Sequence, residues 1–170
     1  MRIAITDANI FIDLFYMKQV PHLFSIGCEI ITTDKVLLEI EPLQSEILYQ
    51  FMEKGLLLVE RIKNEDRLRM LQLRSSRNLS ESDLSVICIA EKYDALVLSG
   101  DDMVRKTCTL NKIEIHGILW CLNQFIEYDL IEKTKACELL IGLMEYNKRL
   151  PENHCKDYIE NKWGGKIVGE

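Results

Sequence analysis

Short apolar runs of strand length recur along the chain, and each is followed by a stretch with the period of a helix. That alternation limits the possible folds more than any other feature. Strands are expected at residues 2–6, 28–32, 56–61, 95–98 and 113–116. Helices are expected at 9–18, 35–54, 65–74, 81–93, 102–110, 119–128 and 132–147, where apolar residues return at three- and four-residue spacing. Strands joined through helices pair in parallel, because a parallel neighbour can only be reached by a crossover. The expected class is therefore α/β: a parallel sheet covered by helices on both faces, a three-layer α/β/α arrangement closed by extra C-terminal helices. A chain of 170 residues, 48% of them hydrophobic, suits one domain, expected over 1–150. The polar stretch 151–170 is expected to be a mobile tail.

Composition removes several function classes. No apolar run approaches the roughly 18 residues of a membrane span, and no secretory leader follows Met1-Arg2, so a cytoplasmic protein with no membrane partner is expected. The six cysteines are scattered without a CxxC pair, as reduced and mostly buried thiols would be. A net charge of −6 opposes whole-surface attraction to nucleic acid. The charge is uneven, however: Arg61, Lys63, Arg67, Arg69, Arg74 and Arg77 cluster in one stretch, and Arg105, Lys106 and Lys112 form a second group. Taken alone, such runs read as solvated helix faces.

The acids stand where chemistry is built in this architecture. Asp7 follows the first strand and Asp101-Asp102 the fourth, and in a parallel sheet all strand carboxyl ends share one rim. Glu39, in the helix after the second strand, and Asp83, opening the helix before the fourth, can reach the same rim. Glu41 is the alternative to Glu39, and Asp102 to Asp101. Carboxylates gathered in one crevice repel and raise one another's pKa unless a cation neutralises them. Hard oxygen ligands of this kind suit Mg²⁺ or Mn²⁺. Each acid also has a purely structural reading: Asp7, Asn9 and Asp101 can cap helices, and Ser80-Glu81-Ser82-Asp83 resembles a capping box.

Four segments together resemble the PIN-domain family: Asp7-Ala8-Asn9, Val36-Leu37-Leu38-Glu39, Leu79-Ser80-Glu81-Ser82-Asp83, and Leu96-Val97-Leu98-Ser99-Gly100-Asp101-Asp102. The likeness runs from residue 2 to about residue 151, since His116-Gly117-Ile118-Leu119 and Arg149-Leu150-Pro151 are similar to a bacterial branch of that family. The resemblance implies a Rossmann-like fold and Mg²⁺- or Mn²⁺-dependent hydrolysis of single-stranded RNA. Carried over by position, Asp7, Glu39, Asp83 and Asp101 are the catalytic acids, with Asp7, Asp83 and Asp101 on the metal and Asn9, Ser99 and Asp102 in support. Arg74, Arg77, Arg105 and Lys106 are the expected RNA contacts. An antitoxin protein and a second copy of the chain are the candidate protein partners.

Two other readings compete. Gly100-Asp101-Asp102 and Ile30-Ile31-Thr32 resemble segments of haloacid dehalogenase-type phosphatases, but that chemistry wants a second Asp where this chain has Asn9. A catalytically inactive PIN-like scaffold that binds RNA or protein is the other.

Overall fold

Five strands pair in parallel in the order β3-β2-β1-β4-β5: β1 (Arg2–Thr6), β2 (Cys28–Thr33), β3 (Leu57–Glu60), β4 (Leu96–Leu98) and β5 (Ile115–His116). They belong to a computed structural model in which residues 2–74 and 78–166 are described. The helices are α1 (Ala8–Tyr16), α2 (Val20–Leu23), α3 (Asp34–Leu37), α4 (Pro42–Glu53), α5 (Asn64–Arg74), α6 (Glu81–Tyr93), α7 (Asp102–Leu110), α8 (Ile118–Glu127), α9 (Lys133–Tyr146) and α10 (Glu152–Asp157). The expected three-layer α/β/α fold is present.

Its central strands are apolar on both faces: Ala4 and Ile5 of β1 and all of β4 are buried. The crossovers from β1 to β2 and from β3 to β4 run in opposite directions along the sheet. Right-handed connections therefore place α1 and α6 on opposite faces. α6 lies across β1, β2 and β4, with α5 and α7 beside it. The strand order reverses between β1 and β4, the switch point beyond which open α/β sheets bind their ligands. Asp7 extends that pairing by one residue, its N–H donating to the Leu98 carbonyl at 3.0 Å.

Two stretches differ from the expectation. The helix expected over 35–54 is two helices, because Pro42 starts α4 and holds Glu41 extended at ψ 147°. Glu39 accordingly lies in the turn after α3, its N–H donating to the Val36 carbonyl at 3.0 Å. The stretch read as a polar tail is helical from Glu152 and continues as a π-helical turn, Tyr158–Lys162. It buries Cys155, Ile159 and Trp163, and the Trp163 indole donates to Asn123 at 3.4 Å. Those three residues are spaced as one helical stripe, which holds the segment on the domain. All six cysteines are free, and all but Cys28 are buried.

Candidate active site

At the end of β1 the chain turns into α1 through Asp7, whose side chain is only 2% exposed. Its Oδ1 accepts the Ala8 N–H at 2.7 Å, capping the helix. Its Oδ2 accepts from Asn9 Nδ2 at 2.6 Å and from the Ser99 hydroxyl at 2.7 Å. Ser99 Oγ in turn accepts from Asn9 Nδ2 at 3.2 Å and from the Asp101 N–H at 3.1 Å. Asn9 Oδ1 takes the Gly100 N–H at 2.8 Å. Asn9 and Ser99 thus fix the Asp7 carboxylate and tie it to the loop after β4.

Burial drives the Asp7 pKa up from 3.8 to about 6. The Ser99 hydrogen bond opposes the rise, Asp83 adds to it, the Ala8 N–H opposes it, and Glu39 adds further. Glu39 is itself raised, first by loss of solvent and then by Asp83. The buried Ser82 hydroxyl lies close enough to favour the Glu39 anion, but has no partner at normal hydrogen-bond geometry among the described residues. Asp7, Glu39 and Asp83 therefore act on one another electrostatically, although they come from three separate segments.

What draws those segments together is a contact that sequence reasoning missed. Thr33, at the end of β2, accepts the Val36 N–H at 3.2 Å and shares a 2.7 Å hydrogen bond with Ser85, sealing the start of α3 against α6. No local pattern announces it, because it depends on α6 crossing β2.

Two of the candidate acids are helix caps. Asp83 completes the capping box of α6, its Oδ2 accepting the Ser80 N–H at 2.8 Å while its own N–H donates to Ser80 Oγ at 3.0 Å. Its Oδ1 accepts no hydrogen bond among the described residues. Asp101 is the N-cap of α7: its Oδ1 receives the N–H groups of Met103 at 2.7 Å and Val104 at 3.0 Å, leaving Oδ2 uncommitted among the described residues. Asp102 is exposed in the first turn. Glu41 stands at the start of α4, with no side-chain capping bond.

The basic residues near the acids separate into bound and open groups, and the expected RNA contacts Arg74, Arg105 and Lys106 are among them. Arg69 is held by Glu91 through two hydrogen bonds of 2.7 and 2.8 Å, and Lys92 pairs with buried Asp66 at 3.5 Å. Arg74 is exposed at the end of α5. Together with Lys35, which bonds Glu81 at 2.8 Å, and with Arg67, it favours the charged form of Glu81, two residues from Asp83. Arg105 is half-buried and reaches the Ser99 carbonyl at 3.4 Å, whereas Lys106 is exposed. Arg77 lies outside the described residues.

A family model described as PIN domain matches residues 3–162. The chain belongs to the PIN-domain family. The match reaches through α10, in keeping with the packing of Cys155 and Ile159. Among solved structures, VapBC-1 from nontypeable Haemophilus influenzae is similar in fold, with a TM-score of 0.50 and 15% identity over 68% of this chain and 98% of that one. No curated protein matches the chain. PIN domains are generally nucleases, and Asn9, bonded through both its amide atoms, cannot serve as the acid a phosphatase needs there.

The acids also set a pH dependence. Asp13, buried on α1 and bonded to Asn147, is raised by burial from 3.8 to about 6, against the pull of that bond. A raised acid supports the fold while protonated. Its contribution is complete below about pH 4 and is lost as pH rises through its folded pKa near 6. Between pH 5 and 7 the metal-free PIN domain is expected to lose on the order of 1 kcal/mol per acid. Thermal melts at pH 5, 6 and 7 of the original protein and of Asp13→Asn measure the loss, and a loss unchanged in Asp13→Asn contradicts the share given to Asp13.

Proposed function

We propose that the chain is a Mg²⁺- or Mn²⁺-dependent endoribonuclease that hydrolyses phosphodiester bonds of single-stranded RNA in the cytoplasm. The observation that carries this reading is an unbalanced charge. Burial and the neighbouring Asp83 and Glu39 carboxylates raise the Asp7 pKa, burial and Asp83 raise that of Glu39, and among the described residues no Lys or Arg forms a salt bridge with Asp7, Glu39, Asp83 or Asp101. No three His, Cys, Asp or Glu side chains of the described residues form a group that could hold a metal ion by themselves. Mg²⁺ does not require one, since it commonly binds through one or two carboxylates and keeps several waters. The donor chemistry therefore fits a hydrated divalent cation.

Asp7, Asp83 and Asp101 would face the cation, one or two of them directly and the rest through its waters, with Glu39 beside them. The cation supplies activation of water and compensation of charge on the phosphate. Asn9 and Ser99 keep Asp7 aimed and ionised by donating to Oδ2. Asp7, buried and already accepting three hydrogen bonds, is a ligand rather than a nucleophile. Lys35, Arg67, Arg74, Arg105 and Lys106 offer positive charge for the approach of RNA phosphates.

Cleavage of single-stranded RNA should stop with EDTA and return when Mg²⁺ or Mn²⁺ is added in excess. Cleavage that survives chelation, or a phosphate trapped on Asp7, contradicts the reading. Replacing Arg74 with Glu should weaken RNA binding and flatten its logarithmic salt dependence by roughly 0.7 for each phosphate that is no longer neutralised. An unchanged slope would leave Arg74 a solvated residue.

A protein partner is supported by a separate observation. Leu38, Leu43, Leu68 and Leu71, around α3, α4 and α5, are 80%, 75%, 67% and 60% exposed. An antitoxin or a second copy of the chain would cover them.

A further inference from the structure

On α1, Asn9, Asp13 and Tyr16 stand at i, i+4 and i+7, so one helix face begins in the acid site and ends roughly 10 Å further along the axis. There Tyr16 meets Tyr146, the last residue of α9. Their rings stack with centroids 4.1 Å apart and planes 12° from parallel. The pair stays open to solvent, with Tyr16 44% and Tyr146 53% exposed. The Tyr16 hydroxyl donates to the Gly142 carbonyl at 3.2 Å. Beneath it, buried Asp13 accepts from Asn147 Nδ2 at 3.0 and 3.3 Å, and Asn147 Oδ1 accepts the Arg149 N–H at 3.1 Å. The stack is thus anchored at both ends. Within three residues of it lie exposed Lys18, Lys148 and Arg149, against one exposed acid, Glu145.

We propose that Tyr16 and Tyr146 form a platform on which an unpaired base of single-stranded RNA stacks, with Lys18, Lys148 and Arg149 facing its phosphates. This inference rests on the ribonuclease reading for its choice of ligand. Exposed aromatic faces edged with cations are the chemistry that holds single strands without regard to sequence. A neutral or basic protein segment gains nothing from the positive rim, while a strand with a phosphate at every nucleotide and a flat base beside it gains from ring and rim alike. The platform and the acid site stand roughly 10 Å apart along α1, with buried Asp13 between them, a separation that a single strand can span.

Anisotropy of a fluorescent single-stranded RNA, measured in EDTA so that nothing is cleaved, tests the platform separately from catalysis. The double variant Tyr16→Leu, Tyr146→Leu should bind about tenfold more weakly. Its logarithmic salt slope should not change, because stacking releases no counterions. Lys148→Ala with Arg149→Ala should lower that slope by roughly 0.7 per phosphate released. Should the double variant fail to fold, 5-iodouridine RNA photocrosslinked to the unaltered protein is expected to mark Tyr16 or Tyr146. Unchanged affinity in a folded double variant, or crosslinks only elsewhere, overturns the proposal and makes the stack a packing contact between α1 and α9. If the unaltered protein binds RNA through these residues yet never cleaves it with Mg²⁺ or Mn²⁺, the nuclease reading fails and the platform stands.

Discussion

Asp7→Asn is expected to reduce RNA cleavage by well over the roughly 10- to 100-fold that loss of a supporting group costs a metal site. The melting temperature should move by only a few degrees. Two opposing effects make the stability change small. The amide removes a charge that burial and the neighbours Asp83 and Glu39 penalise. It also leaves one acceptor oxygen for the three donors that Ala8, Asn9 and Ser99 direct at this side chain. Metal affinity has no such compensation, because an amide brings no charge to the cation. Asn9→Ala should lie within the roughly 10- to 100-fold range, since it frees Asp7 and Gly100 without removing the carboxylate. Parallel cleavage assays and thermal melts separate the two variants, and an active Asp7→Asn protein would remove Asp7 from the chemistry.

The second large effect divides the adjacent acids Asp101 and Asp102. Asp101 caps α7 through Oδ1, and Asn caps a helix about as well as Asp, so Asp101→Asn should keep the helix. It should nevertheless lose metal affinity and cleavage together, because the charge on the loop that Ser99 ties to Asp7 is gone. Asp101→Ala should additionally cost about 1 kcal/mol of stability through removal of the cap. Asp102→Asn changes charge equally but only weakens an exposed interaction with the helix amino end, on the order of 0.5 kcal/mol. Its cleavage should stay near the original level. Calorimetric titration with Mn²⁺ decides between them: loss of binding in Asp102→Asn with binding kept in Asp101→Asn would exchange their roles.

Features written in one continuous stretch were readable from the sequence. The apolar runs around Ile3, Ile30, Leu57 and Leu96 gave the strands, and the bounds expected for α6 and α7 are those observed. The rim carrying Asp7 and Asp101 followed from parallel pairing alone. Pro42 was a readable signal that the long helical period concealed: Leu43 and Ile47 sustain the spacing yet face solvent. Cys155, Ile159 and Trp163 were readable too, but three apolar residues in a polar segment look like a tail until α9 is there to receive them. Capping and metal ligation at Asp83 and Asp101 looked like competing roles. A carboxylate has two oxygens, and in both residues one caps while the other stays uncommitted among the described residues. Long-range pairings stayed hidden. Nothing near Arg69 marks Glu91 as its partner, and nothing near Thr33 points to Ser85.

A crystal of the protein grown in Mn²⁺ and measured at the manganese absorption edge tests the acid rim as a cation site without reference to activity. An anomalous peak within ligand distance of Asp7 and of at least one of Asp83, Asp101 or Glu39 is the expected result. An empty rim at a Mn²⁺ concentration that saturates cleavage, or a peak held by other residues, would contradict it.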